Sequence, residues 1–392
     1  MTTKANPPSA SPRLDLLRRS LYLPLGLVAV YLTFFFALLT PYFQRHFIFL
    51  HAIQFPLFPS YSQPSKYGLA PFKTRPFHLA TNDGERIGAW HVLPEVYYQS
   101  HISSSKANTK EAWTDKVYEK AMREYPTILY LHGNSMNRAA PWRIAAYSAL
   151  TSRIDANVIA IDYRGFGDSS GTPSEQGLVE DANAAYRWIR AQQKTAGQEE
   201  KQASPSITVF GQSLGTGITA LLAAQLERNK TPVEGTVLMA PYTDLKALVK
   251  DFRIGGLLPV LAPIGAIPFN NYILNAFLKT HLNTLDTLPN LTATSASHKT
   301  NIVLLHATDD PVIPVHHSHR LFDNLLSHSP AATVQERDIH QYARVKRFTP
   351  SSDKQTGTVT LIETQHGGHN QLTEGALDLV RLALKLPSHL SP

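Results

Sequence analysis

The sequence predicts an α/β fold in which a mainly parallel sheet is flanked by helices. Short apolar runs rich in β-branched residues alternate with segments of helical periodicity, and strands in that alternation pair in parallel through right-handed crossovers. The chain has 392 residues, 43% of them hydrophobic and 17% charged, so it can bury a large core and is unlike a disordered chain. An uncharged apolar run near the N-terminus stands outside the alternation.

Six runs predict the strands of the parallel sheet, and five segments predict the helices between and after them. An earlier pair of runs, 76–81 and 86–93, is joined by Asn82-Asp83-Gly84 and predicts an antiparallel hairpin. We therefore expect one large domain over residues 76–388. The predicted strands are 127–131, 157–161, 207–210, 236–239, 302–305 and 359–362, and the predicted helices are 139–152, 175–192, 214–228, 315–327 and 371–386.

Three segments interrupt this pattern. Residues 95–124 are polar and are expected to form a surface excursion, and residues 330–357 are expected to form a polar loop. Residues 243–300 differ, because positions 254–278 form a run of 25 residues without a charge that glycines and prolines punctuate. Proline disrupts helix interiors and is avoided in strands, so we do not expect a second membrane span there. The segment 243–300 is predicted to be an apolar lid over a pocket.

The N-terminal apolar run predicts a transmembrane anchor over residues 21–43. It contains 23 consecutive uncharged residues, and about 20 apolar helical residues span the hydrocarbon core of a bilayer. A cleaved signal peptide is the alternative, but its apolar region is about 7–15 residues long and ends at a small-residue cleavage site. The run here is longer and ends in Thr40-Pro41-Tyr42-Phe43, which favours an uncleaved anchor.

Charges around this run predict the orientation of the chain. The residues before it are mainly basic, with Asp15 as the opposing charge, and Arg45 is the one close basic residue after it. The positive-inside rule then makes residues 1–20 a cytosolic tail and places the large C-terminal part across the membrane. Residues 44–75 form a juxtamembrane segment. The aromatic stretch 42–60, which overlaps its start, is either an interfacial segment or a strap packed on the domain. The basic residues before the run are Lys4, Arg13, Arg18 and Arg19.

Charge balance and the absence of cysteine exclude several classes of protein. Lys plus Arg exceed Asp plus Glu by 37 to 30, and the net charge of +7 is spread without a block of like charges, so nucleic acid is not an expected partner. The chain has no cysteine, which rules out disulfides, thiolate metal sites and a cysteine nucleophile. His316, His317 and His319 lack the i, i+4 spacing of a zinc pair and are expected to form a solvated helix face. No cofactor and no metal ion is predicted.

A nucleophile is predicted at Ser213. The motif Gly211-Gln212-Ser213-Leu214-Gly215 matches G-x-S-x-G, and it follows a predicted strand and opens a predicted helix. The turn at such a nucleophile is tight, and a Cβ at either flanking glycine would crowd the helix or the strand. The alternative is a glycine-rich turn with an incidental serine, which the strand–turn–helix context makes unfavourable.

An acid and a base are expected after the serine, because a hydroxyl needs a base to take its proton. Asp310 is the predicted acid, with Asp309 as the alternative, since both follow the strand 302–305 at the sheet edge where open α/β sheets place their sites. His369 is the predicted base, because Gly367-Gly368 allows its loop to fold back over the sheet edge. His366 is the competing histidine, because it lies closer to the preceding strand.

Donors for a developing oxyanion are predicted from two backbone positions. The stretch Leu131-His132-Gly133-Asn134 follows the first parallel strand. The N–H of Asn134 and the N–H of Leu214, which comes next after the nucleophile, would form the oxyanion hole. His132 is expected to orient this loop rather than to react.

These motifs together resemble the α/β-hydrolase-domain family, and within it the branch of membrane-anchored monoacylglycerol and lysophosphatidylserine lipases. The resemblance runs from about residue 76 to the C-terminus. It departs from the branch at Gln212, where the branch carries a histidine, and in the character of the lid and of the 330–357 loop. The motifs that carry it are Leu131-His132-Gly133-Asn134, Asp162-Tyr163-Arg164-Gly165-Phe166-Gly167-Asp168-Ser169, Gly171-Thr172-Pro173-Ser174-Glu175, Gly211-Gln212-Ser213-Leu214-Gly215-Thr216-Gly217 and His306-Ala307-Thr308-Asp309-Asp310-Pro311-Val312-Ile313-Pro314.

The resemblance implies an α/β-hydrolase fold and a serine hydrolase that cleaves the acyl ester of a single-chain lipid, a monoacylglycerol or a lysophospholipid. Ser213 would form the acyl-enzyme, His369 would move the protons and Asp310 would hold the histidine tautomer. It also implies an endoplasmic reticulum membrane with a lumenal catalytic domain, with which the sequons at Asn229 and Asn290 are compatible. The partners expected are thus a lipid ester and the membrane.

Three other functions compete with this interpretation. A protein acyl-thioesterase needs the same three residues but is expected to face the cytosol. A membrane-anchored scaffold that no longer reacts is a second alternative, which the order Ser213, Asp310, His369 disfavours. A peptidase is the third, and no propeller-like repeat region supports it.

Overall fold

A ten-stranded sheet organises the chain. The computed structural model describes residues 12–103, 110–194, 205–231, 233–253, 257, 259–267, 269–293, 300–350 and 357–389. The strand order is β1-β2-β4-β3-β5-β6-β7-β10-β9-β8. The strands are β1 (Thr74–Ala80), β2 (Arg86–Val92), β3 (Thr127–Leu131), β4 (Asn157–Ile161), β5 (Ile207–Gln212), β6 (Gly235–Met239), β7 (Asn301–Ala307), β8 (Gln335–Ile339), β9 (Ala343–Phe348) and β10 (Val359–Thr364).

The six predicted parallel strands are confirmed, and they form the centre of the sheet. Each neighbouring pair from β4 to β10 is parallel, whereas the predicted hairpin β1–β2 joins β4 in antiparallel orientation. Every residue of β3, β4, β5, β6 and β10 is buried. Continuous apolar runs of this kind are typical of parallel strands that are covered on both faces.

Helices cover both faces of this sheet. On one face, α6, α7 and α12 pack over a cluster that includes Ile189, Ile218 and Leu321. On the other face, α5 and α13 pack over a cluster that includes Tyr147 and Val380. The helices are α1 (Pro12–Leu38), α2 (Pro41–Phe49), α3 (Glu95–Ile102), α4 (Asp115–Glu124), α5 (Pro141–Arg153), α6 (Glu175–Gln193), α7 (Leu214–Arg228), α8 (Leu245–Asp251), α9 (Asn270–Phe277), α10 (Thr284–Thr287), α11 (Pro289–Ala293), α12 (His316–Ser327) and α13 (Glu374–Leu384).

The prediction of a loop over 330–357 is wrong for most of its described residues. They form the hairpin β8–β9, which extends the sheet because β9 pairs with β10 in antiparallel orientation. Most of β8 is exposed, whereas Ala343 and Phe348 at the two ends of β9 are buried. An edge hairpin takes its hydrogen bonds from the neighbouring strand and needs few apolar side chains, so its polar composition concealed it. Residues 351–356 lie outside the described part.

Residues 95–124 are more ordered than the predicted surface excursion. They contain α3 and α4, which bury an aromatic cluster of their own against Leu93. The tyrosine hydroxyl of Tyr118 donates to the carbonyl of Phe72, and that of Tyr97 donates to the carbonyl of Val117. A few large rings bury much area, and therefore a polar average hides a packed unit. Residues 104–109 of this segment lie outside the described residues.

The N-terminal apolar run forms α1, and a single helix in the described residues is long and apolar enough to cross a membrane. Its apolar part is Arg19–Leu38, with a mean hydropathy of 2.1 and 6% of its residues buried. The helix ends five residues before the predicted limit of 43, and α2 begins at Pro41. Proline lacks an N–H and disfavours helical geometry in the residue before it, so the chain turns there.

The juxtamembrane segment packs on the domain as a strap. The carbonyl of Phe49 accepts from the N–H of Ser135 at 2.9 Å, and the carbonyl of Ile53 accepts from the N–H of Met136 at 2.7 Å. Phe58, by contrast, is 98% exposed. The hydrogen-bonded part of the segment is thus a strap on the domain, as one of the two alternatives predicted, while a large apolar side chain of the segment remains exposed.

The described residues of the predicted lid segment, 243–300, consist of four short helices, α8 to α11, and a 3₁₀ turn over Ala262–Ala266. Leu261 and Ile264 of this segment pack against Phe35 of α1. The side chain of Gln44 in α2 connects the N-terminal helices with the lid segment. Its amide nitrogen donates to the carbonyl of Phe277 at 2.8 Å, and its oxygen accepts from the N–H of Lys279 at 3.1 Å. The apolar segment therefore lies against the N-terminal helices.

Candidate active site

Ser213 lies on the turn between β5 and α7. Its backbone has φ 51° and ψ −119°, a conformation that non-glycine residues rarely adopt and that is found at nucleophile turns. The flanking glycines are needed because a side chain has no space at either position. A Cβ on Gly215 would overlap the carbonyl of Leu131, and a Cβ on Gly211 would overlap the backbone of Gly215 itself. The turn therefore presents the serine at the carboxyl edge of the sheet.

The structure brings Ser213, His369 and Asp310 into one line. The Nε2 atom of His369 lies 3.0 Å from the hydroxyl oxygen of Ser213, and its Nδ1 atom lies 2.8 Å from Oδ2 of Asp310. The side chain of Asp310 is fully buried, and that of His369 is 11% exposed. A base that contacts a hydroxyl and is oriented in turn by a buried acid is the arrangement that activates a serine.

Asp310 is held as a carboxylate by the turn that follows β7. Its Oδ1 atom accepts from the N–H groups of Val312 and Ile313 at 2.8 and 3.0 Å. Burial alone would raise the pKa of Asp310, but the hydrogen bonds from His306 and His369 outweigh burial and hold that pKa well below its usual range. The contact of His306 with Asp310 was not predicted from the sequence, where the spacing of four residues between them was the available signal.

The competing residues Asp309 and His366 lie elsewhere. The Nδ1 atom of His366 is 3.6 Å from Oδ2 of Asp309, and the side chain of His366 is 84% exposed. Oδ1 of Asp309 accepts from the N–H of Gly368 at 2.8 Å. Asp309 thus supports the loop that carries His369, and neither competitor is brought to Ser213.

The predicted oxyanion loop reaches the serine. A Cβ built on Gly133 would stand 3.2 Å from the Cβ of Ser213, so the backbone before Asn134 passes directly beside it. Buried Arg143 holds this loop, because its guanidinium donates to the carbonyls of Gly133 at 3.1 Å and of Ser135 at 2.9 Å. Arg143 was not predicted from the sequence, since a helical arginine has no local signature of such a role.

His132 lies behind this loop rather than in the site. It is fully buried, and its Nδ1 atom lies 2.6 Å from the carbonyl oxygen of Gly133. Burial and the neighbouring guanidinium of Arg143 lower the pKa of His132. A neutral, buried imidazole at this position can orient the loop, which is the part predicted for it from the sequence.

Gln212 connects the serine turn with the histidine loop. Its side-chain oxygen accepts from the hydroxyl of Tyr130 at 2.6 Å, and its amide nitrogen donates to Oδ1 of Asn370 at 3.0 Å. The residue that departs from the resembled branch therefore supports the residue after His369. The sequence alone could not show this contact, because the two positions are 158 residues apart.

A cavity of about 490 Å³ opens over these residues. Its apolar walls and few polar groups are typical of a site for a small organic ligand. The lid segment contributes Phe252, and α2 contributes Phe47. Other residues that line it include Asn134, Met136, Trp142, Val312 and His369.

One histidine of α12 departs from the expected solvated face, since His317 is buried whereas the side chains of His316 and His319 are 48% and 42% exposed. His317 is fully buried, and its Nε2 atom lies 3.4 Å from Oδ2 of Asp251, to which His316 Nε2 is 3.2 Å distant. Burial lowers the pKa of His317 to about 4. These three side chains are close enough to hold a metal ion, and they are distinct from the site around Ser213. His317 was predicted as solvated because its contacts with Thr243 and Asp251, which lie far away in the chain, are not visible in the sequence.

Comparison with known proteins identifies the fold family of the chain. A family model described as the alpha/beta hydrolase fold matches residues 126–258. Lysophosphatidylserine lipase ABHD12 of Bos taurus is 30% identical over 310 residues, which are 78% of this chain and 69% of that protein. The protein of the same name from Rattus norvegicus is 30% identical over 74% of this chain and 65% of its own length. The chain thus spans about two thirds of the length of these relatives.

More distant proteins match as well. Protein ABHD12B of Homo sapiens is 30% identical over 63% of this chain and 60% of its own. An esterase of Pyrococcus furiosus of known structure superposes on 85% of this chain and 97% of its own with a TM-score of 0.48 and 15% identity, which is too distant to add to the assignment. The ABHD12 matches extend well beyond the segment covered by the family model. The chain therefore belongs to the α/β-hydrolase family, in the branch that contains the lysophosphatidylserine lipases.

Proposed function

We propose that this protein is a membrane-anchored serine hydrolase that cleaves the acyl ester of a single-chain lipid, a monoacylglycerol or a lysophospholipid. The observation that carries the proposal is the line from Ser213 Oγ through His369 to the buried Asp310, at 3.0 and 2.8 Å. The names of the ABHD12 relatives support a lysophospholipid as the substrate class. The cavity over the serine supports a ligand that is mostly apolar.

The proposed reaction has two stages. The hydroxyl oxygen of Ser213 attacks the acyl carbon while Nε2 of His369 takes its proton, and the N–H groups of Asn134 and Leu214 stabilise the oxyanion. His369 then gives the proton to the leaving alcohol oxygen, which leaves an acyl-enzyme. Water attacks that ester while His369 takes a proton from it, and the fatty acid departs as the serine is restored. Asp310 remains ionised and keeps the proton on Nδ1 of His369.

The membrane part of the proposal rests on α1. The helix is long and apolar enough to span a bilayer over Arg19–Leu38, and the domain that follows would lie close to the surface. We place residues 1–20 in the cytosol and the domain in the lumen of the endoplasmic reticulum, as the charge bias favours. Residues 1–11 of that tail lie outside the described part of the chain.

Reaction of purified full-length protein with a fluorophosphonate probe tests the catalytic part. We expect the native chain to be labelled and Ser213→Ala to remain unlabelled, with Ser174→Ala as the matched control that stays labelled. A panel of monoacylglycerols, lysophosphatidylserine and an acyl-thioester peptide then separates lipase from thioesterase. A native protein that does not react, beside a control hydrolase that does, would remove the catalytic proposal and favour the scaffold function.

Protease protection in sealed microsomes tests the orientation. A lumenal domain is protected from added protease until detergent opens the vesicles, whereas a cytosolic domain is cut at once. Asn229 and Asn290 are exposed, so glycans there would give a second readout that Asn229→Gln and Asn290→Gln abolish. Digestion of the domain in intact vesicles would contradict the lumenal placement.

A further inference from the structure

We propose that a dry passage between α1, α2 and the lid segment holds the distal part of the substrate's acyl chain, so that the membrane helix forms one wall of the substrate site. The inference rests on the proposed lipid-ester hydrolysis and adds which part of the protein determines the preferred length of the acyl chain. Its carrying observation is a series of cavities that share walls from Ser213 to the end of α1.

The series begins at the cavity over the serine. A second cavity, of about 70 Å³, shares Phe47, Asn134 and Phe252 with it. A third cavity, of about 60 Å³, shares Phe47 and Val249 with the second. In the proposed passage, rotation of the shared side chains of Phe47, Val249 and Phe252 joins these cavities.

The far end of this series lies at the membrane helix. Phe35 and Leu38, from the last turns of α1, and Leu39, the residue after the helix, line the third cavity. Ile264, Ile273 and Leu274 of the lid segment form the opposite wall. The end of α1 therefore meets the lid segment at the third cavity, and Phe252 of the same segment lines the cavity over the serine.

The chemistry of the walls selects the occupant. Of the described residues that line the second and third cavities, Asn134 and Gln44 are the polar ones. Gln44 is buried, and both ends of its side-chain amide are taken by the backbone of Phe277 and Lys279. Walls that are apolar apart from these two side chains suit a hydrocarbon chain.

This arrangement predicts how the rate depends on chain length. Each methylene group that enters an apolar passage strengthens binding about fourfold, so reactivity should rise with chain length until the passage is full. A large side chain placed in the third cavity should remove that gain for long chains and leave short chains unaffected. The catalytic residues remain untouched, because the third cavity does not include them.

Two matched pairs of variants test the passage from its two walls. Ile273→Trp and Leu38→Trp fill the third cavity, whereas Tyr272→Trp and Phe36→Trp place the same ring on positions that are 76% and 62% exposed. The full-length proteins are compared with octanoylglycerol and oleoylglycerol in one detergent. We expect the ratio of kcat/KM for oleoyl over octanoyl to fall about tenfold or more in the filled variants and to stay unchanged in the controls.

Labelling of Ser213 by fluorophosphonates with short and long alkyl chains gives a readout that does not need ester hydrolysis. If the native protein reacts with these probes but cleaves no glycerol or lysophospholipid ester, the proposed lipid hydrolysis fails while the passage is still tested by the two labelling rates. Normal labelling by the short probe shows that a variant is folded. An equal chain-length ratio in native and filled variants, by both readouts, would overturn the passage.

Discussion

Gln212, the residue before Ser213, donates a hydrogen bond of 3.0 Å to the side chain of Asn370, the residue after His369. The nucleophile turn and the base loop are therefore joined by a contact between their neighbours. The other end of Gln212 is fixed by the hydroxyl of Tyr130. The side chain that differs from the resembled branch thus positions the pair that we propose to react.

Removal of this link should slow the reaction while the serine remains present. We expect Gln212→Leu to lower kcat about tenfold to a hundredfold, because a small displacement of a catalytic group costs that much. Gln212→His, which keeps a donor, should retain more activity than Gln212→Leu. The exposed Gln371→Leu is the control, and equal kcat for Gln212→Leu and the native protein would refute the positioning role.

The two adjacent aspartates should differ sharply in effect. Asp310→Asn keeps the shape but favours the wrong tautomer of His369, and kcat should fall by about 10⁴-fold. Asp309→Asn still accepts the hydrogen bond from Gly368 and should lose less than about tenfold. Steady-state hydrolysis by the two variants measures this difference. A larger loss of kcat in Asp309→Asn than in Asp310→Asn would show that Asp310 is not the acid.

Arg143 should matter for both stability and rate. Its buried guanidinium binds several loop carbonyls at once, a geometry that a lysine ammonium cannot reproduce. We expect Arg143→Lys to lower kcat about tenfold or more and to reduce the free energy of unfolding by about 1–3 kcal/mol. Arg153→Lys, at a partly exposed ion pair, should change neither by much. If Arg143→Lys lost stability but its folded fraction kept the native kcat, Arg143 would stabilise the fold without positioning the oxyanion loop.

His91 should make the stability of the domain depend on pH on the acid side. Burial lowers the pKa of His91 to about 3 from an ordinary value of 6.5, so the folded protein keeps this imidazole neutral. The unfolded chain binds a proton below pH 6.5 that the folded state does not, and stability is therefore lost as the pH falls from 6.5 towards 3. Its contribution is about 1.4 kcal/mol per pH unit in that window.

Denaturation at several pH values measures this slope. His91→Asn should flatten it by about that amount. The slope is the readout because His91→Asn also removes the hydrogen bond between Nε2 and Asn157. Parallel pH profiles for native protein and His91→Asn would contradict a neutral buried imidazole.

The amino-acid sequence determined what depends on local pattern. The strand–turn–helix setting of Ser213, the six parallel strands and the apolar helix at the N-terminus each follow from residues that are close together in the chain. The order of Ser213, Asp310 and His369 was also readable, because each follows a predicted strand at the same sheet edge. These features are determined by hydrophobic periodicity, by the residues that form turns and by the common direction of parallel strands.

Tertiary structure decided what depends on residues far apart in the chain. It separated Asp310 from Asp309 and His369 from His366, because the choice is made by the path of two loops from β7 and β10. It revealed the contact of Gln212 with Asn370, the burial of His317 by α8 and the edge hairpin β8–β9, whose polar residues read as a loop. It also placed the lid segment on α1, since apolar composition requires burial but does not specify the partner surface. The physical reason is common to all of these: propensity and periodicity act between neighbours in sequence, whereas packing joins positions that are tens of residues apart or, for Gln212 and Asn370, 158 residues apart.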